Sequence, residues 1–381
     1  MTEQATEPIR HRCRPLHYDA GRDTLVHHEP ALRAYFKPLP QPVYVIEPID
    51  QPPRAVVVFI HGLCEHAYRF FPLARELSRR RIQTVLFHLH GHGAGDQDTP
   101  KLHWLGAAYL QAATSEQLLD RLGAAGEIDP AALERIKREN LGRMKTLKME
   151  DHLQQVRQVA DQLTRGTPGS AEPDGVPLLL GGHSLGGLLA AAGADRLARS
   201  GPVRPAGVFL LSPALRPRGR GLEQGLLEIS WAARRHVLLR PVSWLLAAGS
   251  RLNPKVDTAW ASRFISDQQV EQRLHAADPL TLRHVRLGYL NRIEARMART
   301  QARAPHYPID LCLFAGRDDP IVDTRGAARF GDEVRAHRPA AANPLVIYDG
   351  CFAHDLLRSS KREVVWQVLD AWLEDRLAAS R

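Results

Sequence analysis

Val176–Gly187 reads VPLLLGGHSLGG, an apolar run that ends in small residues. Ser184 stands between Gly182 and Gly186 in the spacing G-x-S-x-G. Where a strand turns sharply into a helix, the two backbones pass closely, so the residues two before and two after the apex must be small. Pro177–Leu180 predicts the strand, and the Ala- and Leu-rich Leu185–Arg199 predicts a helix beginning just after Ser184. A serine at such an apex has a strained backbone and an exposed hydroxyl, the setting of a nucleophile.

Upstream, Ala55–Ile60 (AVVVFI) is a continuous apolar run, the mark of a strand buried on both faces. It leads straight into His61-Gly62-Leu63-Cys64-Glu65-His66. Residues 67–80 read as a helix and Thr84–Phe87 as the next strand, ending in HLHGHGAG. Strand, helix, strand at this spacing implies a parallel sheet. Residues 1–22 are polar and predict an irregular arm. Asp23–Val26, Leu32–Phe36 and Val43–Glu47 read as edge strands, broken by Pro38, Pro40 and Pro42. Trp104–Glu150 predicts a helical excursion longer than a crossover needs. It holds a capping box at Thr114-x-x-Gln117 and an Asp129-Pro130 helix start.

Downstream, Asp151–Thr164 places Leu153, Val156, Val159, Ala160 and Leu163 on one helical face. Gly207–Leu211, Asp310–Phe314 and Leu345–Tyr348 predict further strands, with helical residues and no central strand over 214–301. Ser360-x-x-Glu363 predicts a cap on a last helix running through Leu373.

A serine hydroxyl is a weak nucleophile that needs a base, and the base needs an orienting acid. On a sheet of this kind the order is serine, then acid, then histidine. Asp318 and Asp319 follow the strand DLCLF, and His354 follows LVIY. The developing oxyanion needs two backbone N–H groups. Leu185, after the serine, supplies one, and Leu63, after an early central strand, supplies the other.

These motifs together resemble the monoacylglycerol lipase and lysophospholipase-like α/β hydrolases, grouped with the serine aminopeptidase-like hydrolases. That family carries HGxGEHxxRY, and this chain has HGLCEHAYRF, so His61, Gly62, Glu65, His66 and Arg69 match. Cys64 replaces a glycine and Phe70 a tyrosine. The family's DxxGHGxS becomes His88-Leu-His-Gly91-His92-Gly93-Ala-Gly95, without the aspartate and the serine. GHSLGG matches GHSxGG, and ADPL at Ala277–Leu280 matches the lid. The acid motif GxxDxxV aligns Gly316, Asp319 and Val322, which selects Asp319 over Asp318.

The resemblance implies an α/β-hydrolase fold: a mostly parallel central sheet flanked by helices, with a helical lid inserted between two late strands. The expected divisions are 1–213 (core, with the excursion at 103–150), 214–301 (lid) and 302–381 (core). It implies a triad of Ser184, Asp319 and His354. It also implies action on esters of single-chain lipids, monoacylglycerol or lysophospholipid, through an acyl-enzyme and without cofactor or metal. Substrate contact is expected from His61, Gly62 and His183, and from Trp231 and Trp244 in the lid. Three other readings compete: an aminopeptidase or amidase of the same fold, a metal-dependent hydrolase built on the HLHGH histidines, and a non-catalytic binding protein.

Composition narrows the partners. The 381 residues are 44% hydrophobic and 24% charged, ordinary for a globular protein. The opening MTEQATEPIRHRCR has no apolar core of a signal peptide and no apolar run is long enough to span a bilayer, so a cytoplasmic location is expected. Four scattered cysteines without C-x-x-C predict free thiols. Net charge is +9, yet no basic run is interleaved with aromatics, so no nucleic-acid partner is expected. Residues 214–263 hold nine Lys/Arg against three acids, along with Trp231, Trp244 and Trp260. That pattern suits peripheral contact with an anionic membrane surface. Oligomeric state is not written in the sequence.

Overall fold

The computed structural model describes residues 11–19, 24–27, 33–34, 43–48, 52–94, 105–106, 108–110, 112–124, 129–164, 176–201, 203–218, 253–338 and 343–379. Trp231, Trp244 and most of the basic stretch lie outside them.

Twelve strands are present among these residues: β1 (His11–Asp19), β2 (Thr24–His27), β3 (Arg33–Ala34), β4 (Val43–Pro48), β5 (Ala55–Ile60), β6 (Ile82–Phe87), β7 (Leu178–His183), β8 (Gly207–Leu211), β9 (Lys255–Asp257), β10 (His284–Arg286), β11 (Leu311–Gly316) and β12 (Leu345–Tyr348). Ten of them form one sheet in the order β12-β11-β8-β7-β5-β6-β4-β1-β2-β3. The six from β12 to β6 run parallel, and β4, β1, β2 and β3 add antiparallel pairings.

The helices among the described residues include α1 (Phe71–Arg79), α2 (Ser115–Ala124), α3 (Pro130–Arg143), α4 (Met149–Thr164), α5 (Leu185–Ser200), α6 (Gln269–Ala277), α7 (Leu287–Gln301), α8 (Thr324–His337) and α9 (Arg362–Ala379). They cover both faces of the sheet, as the alternation of strand side chains requires. Val58 and Ile60 of β5 join one core with α4, α5, α7 and α8. Val57 and Phe59 join the opposite core with α1 and α9.

Strand order reverses at β5: the chain steps from β5 to β6 on one side, then returns to β7 on the other. A crevice opens at such a switch point, outside the carboxyl ends of the strands. The loops after β5, β7, β11 and β12 all emerge at that edge.

The arm expected over 1–22 contains β1, which pairs antiparallel with β4 from Leu16 opposite Val43 to His11 opposite Pro48. The residues HRCRPLHYD carry no period-two pattern, and the strand is fixed by the free backbone edge of β4. The predicted cap at Ser360 is also corrected. α9 starts at Arg362, and Ser360 instead directs its N–H and hydroxyl to Asp267. The other caps form as expected. Thr114 Oγ1 accepts from Gln117 N at 3.3 Å, and Asp129 Oδ1 accepts from Ala131 N at 2.9 Å. Between β8 and β11 the described residues add α6, α7 and the small pair β9–β10, which stands apart from the central sheet. Among the described residues no helix is long and apolar enough to cross a membrane.

Candidate active site

Ser184 sits between β7 and α5 with φ 54° and ψ −118°, a left-handed backbone that a side chain rarely adopts. Its flanking glycines have no room to be anything else. A Cβ on Gly182 would overlap the Gly186 carbonyl, and one on Gly186 would overlap the carbonyls of Ile60, at the end of β5, and of His61 just after it. Gly186→Ala is therefore expected to destabilise the fold by about 3 kcal/mol or more, because rigid backbone would have to move. Denaturant unfolding measures this, and a loss below about 1 kcal/mol would contradict the packing account.

β11 and β12 bring the acid and the histidine together. His354 Nδ1 donates to Asp319 Oδ2 at 2.7 Å, and both side chains are buried. Asp319 Oδ1 accepts from the N–H groups of Ile321 and Val322 at 2.8 and 3.1 Å, which fixes the carboxylate. Asp318 is exposed. Asp319, by contrast, is buried. Ser184 and His354 line one cavity of about 260 Å³, as do Leu63 and Leu185. Its wall is mainly apolar: Val256, Leu282, Leu290, Ile293 and Met297, with Trp260 half-exposed beside them.

The hub of the loop after β5 is Glu65, which matches the family motif but carries no assigned role. One oxygen accepts from Gly62 N and from His183 Nδ1, both at 2.9 Å, and the other from Arg69 Nε at 3.2 Å. Burial alone would raise the Glu65 pKa, but the His183 cation, its hydrogen bond and Arg69 hold it well below 4.5. Burial likewise disfavours charge on His183, and Glu65 outweighs it, pushing the imidazole up to about 9. His183 Nε2 also donates to the His354 carbonyl at 3.3 Å, so this buried pair braces the loop carrying His354.

The sign of the pH dependence follows. His183's raised pKa gives stability that is complete below 6.5 and fades as pH rises through about 9. Glu65's lowered pKa gives stability that is complete above 4.5 and fades as pH falls through its folded value. The stability advantage of the wild type over Glu65→Gln should therefore peak between pH 4.5 and 6.5 and shrink towards pH 9. Urea titrations across pH test this, and an advantage that grew from pH 6.5 to 9 would contradict it.

Two departures from the family motif can be placed in the structure. Cys64 lies at φ 66° in the cavity wall, a conformation that glycine adopts freely and that costs other residues about 1–2 kcal/mol. Burial pushes its thiol up to about 12, so it stays protonated. His88, where the family has aspartate, accepts the Ala67 N–H on Nδ1 at 3.1 Å and packs edge-on to Tyr44 and Tyr68. A buried imidazole can accept that bond without a buried charge.

The remaining expectations divide. His183 lines the cavity, whereas His61 and Gly62 are not among its described lining residues. His61 Nδ1 donates to the Gly62 carbonyl and Nε2 accepts from Leu89 N at 2.9 Å, so its ring joins two loops. The metal reading finds no site: among the described residues no group of three His, Cys, Asp or Glu is placed to hold an ion. Burial, with His92 nearby, holds His61 well below its ordinary value, and burial lowers His92 to about 4, so both rings are neutral.

The sequence matches the family described as serine aminopeptidase, S33, over residues 51–118 and 138–360. The gap between them falls within α2 and α3, the excursion. No curated protein matches. Among solved structures, a monoacylglycerol lipase from Paleococcus ferrophilus is 16% identical, over 88% of this chain and 99% of its own, with a TM-score of 0.53. A soluble variant of monoglyceride lipase from Saccharomyces cerevisiae, in complex with a substrate analogue, is 15% identical over 90% and 95%, with a TM-score of 0.53. A lipase in open form is 16% identical over 95% and 98%, with a TM-score of 0.55. At such identities the likeness concerns the fold, while the family match spans most of the chain: the protein is an α/β hydrolase and belongs to the serine aminopeptidase S33 family.

Proposed function

We propose that this hydrolase cleaves carboxylic esters of single-chain lipids, monoacylglycerol or lysophospholipid, through an acyl-enzyme. The observation that carries the reading is the buried His354–Asp319 pair sharing a mainly apolar cavity with Ser184.

Ser184 Oγ attacks the ester carbonyl and passes its proton to His354 Nε2. Asp319 holds the Nδ1–H tautomer and stabilises the imidazolium. The N–H groups of Leu63 and Leu185 receive the negative charge on the carbonyl oxygen. Collapse breaks the ester C–O bond, and His354 returns the proton to the leaving alcohol. Water then attacks the acyl-serine by the same route and releases the fatty acid. A cavity of about 260 Å³ lies below the usual range of roughly 300–1,000 Å³ for ligand sites, which favours one acyl chain over two. The segment 214–301 serves as the lid, with Val256, Leu290, Ile293 and Met297 against the chain. The basic, Trp-bearing part of that segment is proposed to touch anionic membranes, which co-sedimentation with liposomes tests.

The family description favours a second reading, an aminopeptidase. Recognition of a substrate ammonium needs a carboxylate at the cavity: Glu65 there is engaged by three donors, while Asp257 and Glu294 also line the wall. A panel of monoacylglycerols and nitrophenyl esters against proline arylamide decides. Higher kcat/KM on the esters is expected, and the reverse order overturns the ester reading.

A further inference from the structure

A second cavity, of about 550 Å³, lies away from Ser184, between the C-terminal turns of α5 and α7 and the start of α4. Five arginines line it: Arg196 and Arg199 on α5, Arg296 and Arg299 on α7, and Arg303 just beyond. Among the described residues two carboxylates answer them. Glu150 is shared by Arg296, Arg196 at 3.6 Å and Arg299 at 3.9 Å. Asp195 is shared by Arg199 and Arg303, the latter at 3.5 Å.

The C-terminal ends of the two helices carry partial negative charge that favours a cation each. That accounts for one arginine on α5 and one on α7, and leaves the others in excess. Like charges held this close repel, and the repulsion is relieved by an anion. The donors are not exhausted either. The Thr300 hydroxyl and Arg296 Nε, both buried in the same wall, have no hydrogen-bond partner among the described residues; the acceptor Asp195 Oδ1 there has none either. Guanidinium forks match phosphate oxygens in pairs, and a phosphate presents more oxygens to several forks than a carboxylate does.

We propose that this arginine-lined crevice is a binding site for a phosphate group, carried by a free phosphorylated molecule or by a phospholipid headgroup. The site is separate from the ester chemistry and stands whether or not the proposed substrate class is correct. It touches that chemistry through two elements: α5 begins at Leu185, next to Ser184, and α7 turns Leu290, Ile293 and Met297 to the first cavity while Arg296 and Arg299 face the second.

The test uses the full chain and a double variant, Arg199→Gln with Arg299→Gln, whose side chains are 50% and 70% exposed and can be exchanged without disturbing the core. Arg335→Gln, an exposed arginine on α8, is the control. Pyrophosphate binding is measured by calorimetry, and sedimentation with phosphatidylcholine vesicles is measured with and without phosphatidic acid. Saturable pyrophosphate binding that weakens about tenfold or more in the double variant and not in the control supports the site with a free ligand. Sedimentation that requires phosphatidic acid and is lost in the double variant, without pyrophosphate binding, supports it with a headgroup. Absence of both, or binding equal in the double variant and the wild type, overturns it.

Discussion

Ser184→Ala is expected to lower kcat on ester substrates by a factor on the order of 10⁶ and to leave the melting temperature nearly unchanged. The size of the effect comes from chemistry. In the proposed mechanism no acyl-enzyme forms without the hydroxyl, and neither His354 nor the proposed oxyanion donors can replace a missing nucleophile. The small effect on folding comes from geometry. The backbone at position 184 is held at φ 54° by the crossing of β7 and α5, so alanine meets the same strain as serine. Its side chain adds no volume where Gly182 and Gly186 leave none. A fall of only tenfold would mean that another group attacks the substrate.

The second large effect is expected at Asp319. Asp319→Asn should lower kcat by about 10⁴. The side-chain oxygen of asparagine can still accept from Ile321 N and Val322 N, as Oδ1 does now. Its NH₂ group then faces His354 Nδ1. An imidazole that must accept there carries its proton on Nε2, and such a ring cannot take the proton of Ser184. The fold survives and the base is in the wrong tautomer. Asp318→Asn, on an exposed side chain, should leave kcat close to wild type. Equal effects of the two substitutions, or the reverse order, would contradict the assignment of the acid.

Much of this arrangement is legible in the sequence because it rests on local chemistry. The glycines around Ser184 report a backbone crossing, and AVVVFI reports a strand buried on both faces. A loop residue that follows its own strand, as Asp319 and His354 do, is brought to one sheet edge by any parallel topology. What the sequence hid depends on partners far along the chain. β1 exists because β4 offers it an edge. Glu65 becomes a hub only once β7 sets His183 beside it. The apolar wall drawn from 253–301 carries no motif, since the helix stripe that packs a core and the one that lines a cavity have the same period. The crowding of arginines between α5 and α7 likewise arises only when two helix ends meet.

The central claim is that Ser184 is the activated nucleophile of a three-residue relay. Reaction with a fluorophosphonate, followed by peptide mass spectrometry, reads it directly. The account predicts a single adduct on Ser184 that is absent in Ser184→Ala and forms far more slowly in Asp319→Asn. An adduct on any other residue, or labelling of Ser184 that proceeds at the same rate without Asp319, would contradict it.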